Sequence, residues 1–298
     1  MKKKKHKKLI LSFLATLCLV TAAFTDASSQ ERGLTDLISQ ARSAGIEQAD
    51  ISRLQNRAAE RGISDEQLVR ILRPAVEMAE QNLPADIVFQ KAFEGIAKGI
   101  PAGRMIPVLE GLRGHSVQAA SVIDPWMQRE EVKSFIAKEG KRTETGFRNE
   151  MIRAGVKSVS LENQTRRIEQ LLNAIDNSSV LDKTTPASVL AAVNIMPDLP
   201  ESARRGEVMS SLISKALGNG FNAEEMQKLP VAMNAAQRRS QLPAATVMEG
   251  VSNQLQGGIP AEQILQNLFN GNVSAGPPGN IPRGLENRPD RGRGNGRN

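Results

Sequence analysis

Leu83-Pro84-Ala85 followed by Gly99-Ile100-Pro101-Ala102 returns, 159 residues on and without a gap, as Leu242-Pro243-Ala244 followed by Gly258-Ile259-Pro260-Ala261. Each phrase is helix punctuation. Gly takes the left-handed position that ends a helix, the aliphatic residue after it can staple the next one, and Pro is tolerated in a first turn whose N–H has no partner. The apolar positions between the joints travel with them. Val88, Ala92 and Ile96 correspond to Val247, Val251 and Leu255, and Met105, Ile106 and Leu109 to Ile264, Leu265 and Leu268. Spacing of four puts each of the first two trios on one helical face, as a stripe facing a core requires. Nine of the thirty aligned positions are identical, more than capping chemistry demands, so an internal duplication is expected.

Working outward, the same punctuation recurs at Gly62-Ile63-Ser64-Asp65-Glu66 and Gly220-Phe221-Asn222-Ala223-Glu224. Ser64 with Gln67, and Asn222 with Glu225, fit the reciprocal capping box. Ile46 to Ile63 is 17 residues, Ile63 to Leu83 is 20 and Leu83 to Ile100 is 17, a unit of 37 residues per helix pair. That is the range of helical solenoid repeats, and no segment alternates as strands do. The fold expected is therefore all-α: helix-turn-helix repeats stacked as an irregular α-solenoid or a two-part helical array. Helices are further expected over 128–139, 146–154, 160–176, 185–195, 200–217 and 223–240, with Asp124 capping and Pro125 opening the charged helix that follows.

The ends differ from the body. Six lysines lie within the first eight residues, then an apolar run from Leu9 to Phe24 leads into Thr25-Asp26-Ala27. This is the plan of an export signal, with an apolar stretch short of the roughly 20 residues of a membrane span. Cleavage is expected after Ala27, with Ala23 as the alternative and an uncleaved anchor as the other outcome. Residues 1–27 hold the only Cys, so an exported mature chain has no disulfide and depends on packing. The formal charge of +7 also belongs to the ends: residues 28–280 carry a net of −1. Expected organisation is a signal at 1–27, an N-terminal helical region at 28–176, a hinge at 177–186 and a C-terminal helical region at 187–271 that repeats the 83–112 pattern. Residues 272–298, rich in Gly, Asn, Pro and Arg, are expected to be a disordered tail.

Chemistry-bearing constellations are sparse. After signal removal His115 is the only histidine, and no second His or Cys completes a usual zinc site. His115 with Ser116 or Asp124 lacks the nucleophile elbow and the strand that carries one. Glu130 with Glu131 and Glu224 with Glu225 are adjacent on helices, so their carboxylates point about 100° apart. Gly140-Lys141-Arg142-Thr143 lacks the earlier glycine and the Ser or Thr after Lys of a phosphate loop, and Gly218-Asn219-Gly220 follows a helix instead of a strand. No catalytic residue, cofactor or metal is assigned, and the chain reads as a non-enzyme.

The function expected is that of an exported, periplasmic or secreted, helical-repeat protein that binds or scaffolds a protein or peptide partner. Trp126, Arg166, Arg167, Arg204 and Arg205 are the candidate interface residues, since Trp and Arg are enriched at binding hot spots. The alternative is an envelope-associated protein whose tail, through Arg283, Arg288, Arg291, Arg293 and Arg297, holds an anionic surface or polyanion in a salt-sensitive way. An enzyme of unknown type is the third reading. With the signal removed, no transmembrane segment is expected.

Overall fold

The computed structural model describes residues 33–140, 142–160, 164–176 and 178–273. The expected export signal at 1–27 and the five tail arginines lie outside the described residues. Within them the chain is all-helical: α1 (33–43), α2 (Gln48–Glu60), α3 (Asp65–Glu80), α4 (Asp86–Ala97), α5 (Ala102–Met127), α6 (Glu130–Glu139) and α7 (Glu144–Val159). Then follow α8 (Gln164–Ile175), α9 (Ser178–Leu181), α10 (Pro186–Ile195), α11 (Gly206–Gly218), α12 (Ala223–Ser240), α13 (Ala244–Gln256) and α14 (Ala261–Asn270). Two 3-10 turns, Met196–Asp198 and Glu201–Arg204, separate α10 from α11. There is no strand among the described residues.

The joints form as their residues dictate. Ser64 Oγ accepts from Gln67 N–H at 3.3 Å while Gln67 Oε1 accepts from Ser64 N–H at 3.2 Å, and Asn222 and Glu225 repeat the exchange at 3.0 and 2.9 Å. Gly99 and Gly258 end α4 and α13 at φ 68° and 69°, the left-handed backbone that glycine adopts without a Cβ penalty. Ile100 N–H and Ile259 N–H then close on the carbonyls of Gly95 and Gln254 at 2.9 and 3.2 Å.

The correspondence extends over four helices. With a shift of 158 residues α2 coincides with α11 at both ends, and with a shift of 159 both α5 and α14 begin at an Ala after Pro. Asn82 and Gln241, at φ 54° and 57°, are equivalent positions immediately before the two Leu-Pro-Ala phrases. Ile51, Leu54 and Ala58 are buried in α2, and Met209, Leu212 and Ala216 in α11. Within the first copy α2 packs on α4 and α3 on α5; within the second α11 packs on α13 and α12 on α14. The third helix of each copy, α4 or α13, also packs on the helix before it and the helix after it, so both copies share one contact pattern, that of stacked hairpins.

The chain divides into two compact units: Met1–Met127 with Thr145–Thr165, and Gln128–Glu144 with Arg166–Asn298. In the first, α7 is tied back by Arg148, which donates to both Asp124 carboxylate oxygens at 2.6 and 2.8 Å and to the Asn82 carbonyl at 2.6 Å. Arg153 on the same helix pairs with Asp86 at 2.9 Å. In the second, α6 packs on α9 and α10, and α9 packs on α11. Residues 177–186, expected as a hinge, thus fall inside the second unit. Val180 and Leu181 are buried there, and Thr185 Oγ1 caps α10 by accepting from Ser188 N–H at 3.2 Å. Thr185, one of the polar residues that suggested a linker, serves as a cap.

Two further expectations need correction. Asp124 and Pro125 do not open a helix: both lie in the last turn of α5, where Asp124 accepts from Arg148 and the exposed Pro125 disturbs only a helix about to end. The helix expected over 200–217 is broken at Arg205, and α11 begins at Gly206, where a Cβ would run into the Gln170 side chain.

Candidate binding surface

Trp126 is not an interface residue: it is 1% exposed and shares the buried stripe of α5 with Ser116, Ala119 and Ile123. A large aromatic signals a core as readily as a hot spot. Arg166 and Arg205 are exposed, whereas Arg167 and Arg204 are half-buried, and the Arg204 Nε is a buried donor without a hydrogen-bond partner. No ion pair joins the two doublets among the described residues.

The groups weighed for catalysis are engaged elsewhere. Ser116 Oγ is buried and donates to the Leu112 carbonyl at 2.8 Å, Asp124 is held by Arg148, and Glu130 pairs with Lys133 at 2.9 Å, which raises the Lys133 pKa. Among the described residues no three His, Cys, Asp or Glu side chains converge as metal ligands, and no helix is long and apolar enough to cross a membrane.

Comparing the two copies position by position singles out a different surface. It is carried by α2, α4 and the first turns of α5, within the first unit. Arg53, Arg57 and Arg61 stand at spacing four along α2 and are all exposed. The guanidinium groups of Arg53 and Arg57 lie 5.6 and 5.4 Å from the centre of the half-buried Phe93 ring of α4, close enough for cation-π attraction. Arg61 reaches the Ala97 carbonyl at the end of α4 at 3.5 Å. Arg53 has a loose contact of 3.7 Å with Asp50, and Arg57 has no carboxylate partner among the described residues.

On the α5 side of α4 lies an open notch of about 70 Å³, lined by Gly95, Ile100, Met105, Val108 and Leu109 and flanked by Lys91 and Arg104. Ile100 and Val108 are 38% and 47% exposed, unusual for large aliphatic residues of this chain. Glu94 at its edge is bracketed by Lys91 and Lys98, whose ammonium groups donate at 2.8 and 2.5 Å. Those hydrogen bonds and charges bring its carboxyl down to about 2.

The second copy has none of this. Arg53, Arg57, Arg61, Lys91, Lys98 and Arg104 correspond to Ser211, Lys215, Asn219, Gly250, Gly257 and Gln263, and Phe93 to Ser252. Six cations become one. Gly95 and Val108, which leave the notch open, correspond to Gln254 and Asn267, which close on one another through a 2.9 Å side-chain hydrogen bond with Gln254 fully buried. Val88, Ala92, Ile96, Met105, Ile106 and Leu109 keep buried aliphatic or Met counterparts at Val247, Val251, Leu255, Ile264, Leu265 and Leu268, while this outer face diverges. The Arg53-Arg57-Arg61 spacing was legible in the sequence, but its meaning emerges only beside Ser211, Lys215 and Asn219.

Fold and surface together define an all-helical repeat protein with one cationic, partly apolar face. Comparison with protein-family models, characterised proteins and solved structures gave no match.

Proposed function

We propose that this is an exported helical-repeat protein that acts as a binding or scaffolding module, delivered by residues 1–27 and engaging a protein or peptide partner on the outer face of α2, α4 and α5. The observation that supports it most is the divergence between copies. Duplicated helices of which one copy is sealed by Gln254–Asn267 and nearly free of cations on this face, while the other is cationic there and open at Gly95 and Val108, fit a scaffold in which one copy carries recognition and the other support. Exposed aliphatic side chains rimmed by charge are the surface composition of interaction sites.

The reading is tested by placing a photo-cross-linking residue at Val108 and, separately, at the exposed Val231 of α12 in the full chain within its native envelope extract. A discrete adduct from Val108 and none from Val231 is expected. Absence of any adduct from either position, with the protein folded, overturns the binding-module reading.

A further inference from the structure

We propose that the α2–α4–α5 face recognises an extended, acidic peptide segment carrying one small aliphatic residue, the aliphatic side chain seated in the Gly95–Val108 notch and the flanking carboxylates paired with Arg53, Arg57, Arg61, Lys91 and Arg104. This rests on the binding-module reading above and specifies the partner's chemistry.

Charge comes first. The face presents six cations against Asp50, Glu60 and Glu94, and Glu94 is already neutralised by its two lysines. It is a local excess on a body whose net charge is −1, so it selects a short anionic segment. Geometry comes second. Residues four apart on a helix rise about 6 Å, close to the roughly 6.8 Å between same-side residues of an extended peptide, so alternate Asp or Glu side chains can meet successive arginines. Guanidinium groups are suited to paired hydrogen bonds with carboxylates, and the Phe93 ring limits the freedom of two of them before a ligand arrives.

The other occupants fit less well. Single-stranded nucleic acid needs an open aromatic face for base stacking, and the one aromatic ring between these arginines is already covered by two guanidiniums. The chain's own residues 281–298 carry five Arg against one Glu and one Asp and would be repelled. A nucleic acid also leaves the apolar notch unused, with Ile100 and Val108 in water.

The test uses the mature chain, residues 28–298, and a fluorescein-labelled octapeptide of alternating Glu and Ser with one central Leu, followed by anisotropy. Saturable binding that weakens with added NaCl is expected. Arg53→Gln with Arg57→Gln should weaken it about tenfold, while Lys215→Gln in the second copy leaves it unchanged. Replacing the probe's Leu by Ser should also weaken binding. Grafting the second copy's residues, Gly95→Gln with Met105→Ile and Val108→Asn, should abolish that Leu–Ser difference and keep the salt dependence. Val108→Glu, a single change at an exposed position, serves should the graft not fold; it should repel the probe about tenfold.

Equal binding of a probe with Gln for Glu, equal binding by the double arginine variant, or more complete displacement by polyuridylate or polyphosphate than by the acidic peptide each overturns the proposal. The two readings fail separately. An adduct at Val108 or Val231 without peptide binding removes the acidic-segment chemistry and leaves the binding module standing; no adduct and no peptide binding removes both.

Discussion

Replacing Gly111 and Gly114 by Ala should make the first unit more stable. Both glycines lie in the interior of α5, Ala102–Met127, with ordinary helical backbone, and a Cβ built on either meets nothing within 4 Å. The gain then comes from the unfolded state, where Ala loses less backbone freedom than Gly on folding, about 0.5–1 kcal/mol at each site. The pair is worth about 1–2 kcal/mol, or about 2–8 °C in midpoint for a unit of this size. Trp126 is the only Trp and lies more than three turns along the same helix, so its fluorescence reports this unit directly, while far-UV circular dichroism reports both. The Trp-detected urea transition should move to higher denaturant and the remainder of the dichroism transition should not. Gly95→Ala is the control: it gives the same chain-entropy benefit, but its Cβ runs into the Met105 sulfur, and overpacking of that kind costs about 1–3 kcal/mol. A Gly111→Ala/Gly114→Ala protein with an unchanged or lowered Trp-detected midpoint would refute the reasoning, because the glycine face of α5 would then have to be covered.

Three other outcomes follow from the same geometry. Asn267→Ala removes the donor to Gln254 Oε1 in a fully buried amide whose Nε2 already lacks a partner, so a loss of about 1–3 kcal/mol is expected in the dichroism-detected transition and none in the Trp126 signal. Arg148→Met removes the paired bonds to Asp124 and the bond to the Asn82 carbonyl from a part-buried site, for about 1–2 kcal/mol seen by Trp126 fluorescence. Glu94 should titrate by carbon-detected NMR with a midpoint near 2, set first by its bonds to Lys91 and Lys98, and Lys91→Gln should raise that midpoint. A depressed carboxylate stabilises above its ordinary pKa of about 4.3, so whatever this exposed triad contributes is present at neutral pH and fades as pH falls toward 2.

Local chemistry was the legible part of this chain. The bounds of α12, Ala223–Ser240, follow from the Asn222 capping box and the residues after it, because every interaction that starts that helix lies within four positions. Where the deciding interaction is distant in sequence, local signals mislead. Asp124-Pro125 has the composition of a helix start, yet α5 continues through it and Asp124 answers to Arg148, 24 residues away. The residue that opens α11 is a glycine against the Gln170 side chain, 36 residues earlier, a contact that no local signal announces. The same limit applies to the site: Trp126 is a strong compositional signal whose burial depends on the packing of α5, whereas the arginine ladder of α2 is a weak one until the second copy supplies its contrast.

The path of the chain between α5 and α7 has a biosynthetic consequence. Helix α6 is encoded in the middle of the first unit's sequence and belongs to the second, packing on α9 and α10. In a chain that emerges N-terminus first, α7 completes the first unit while α6 still has nothing to lean on, and its Val132, Phe135 and Ile136 stay wet until α10 has appeared, some fifty residues later. That interval is a window in which a holdase has a defined apolar target. It also means that no single proteolytic cut frees two intact halves: a nick at 127/128 orphans α7, and one at 165/166 orphans α6.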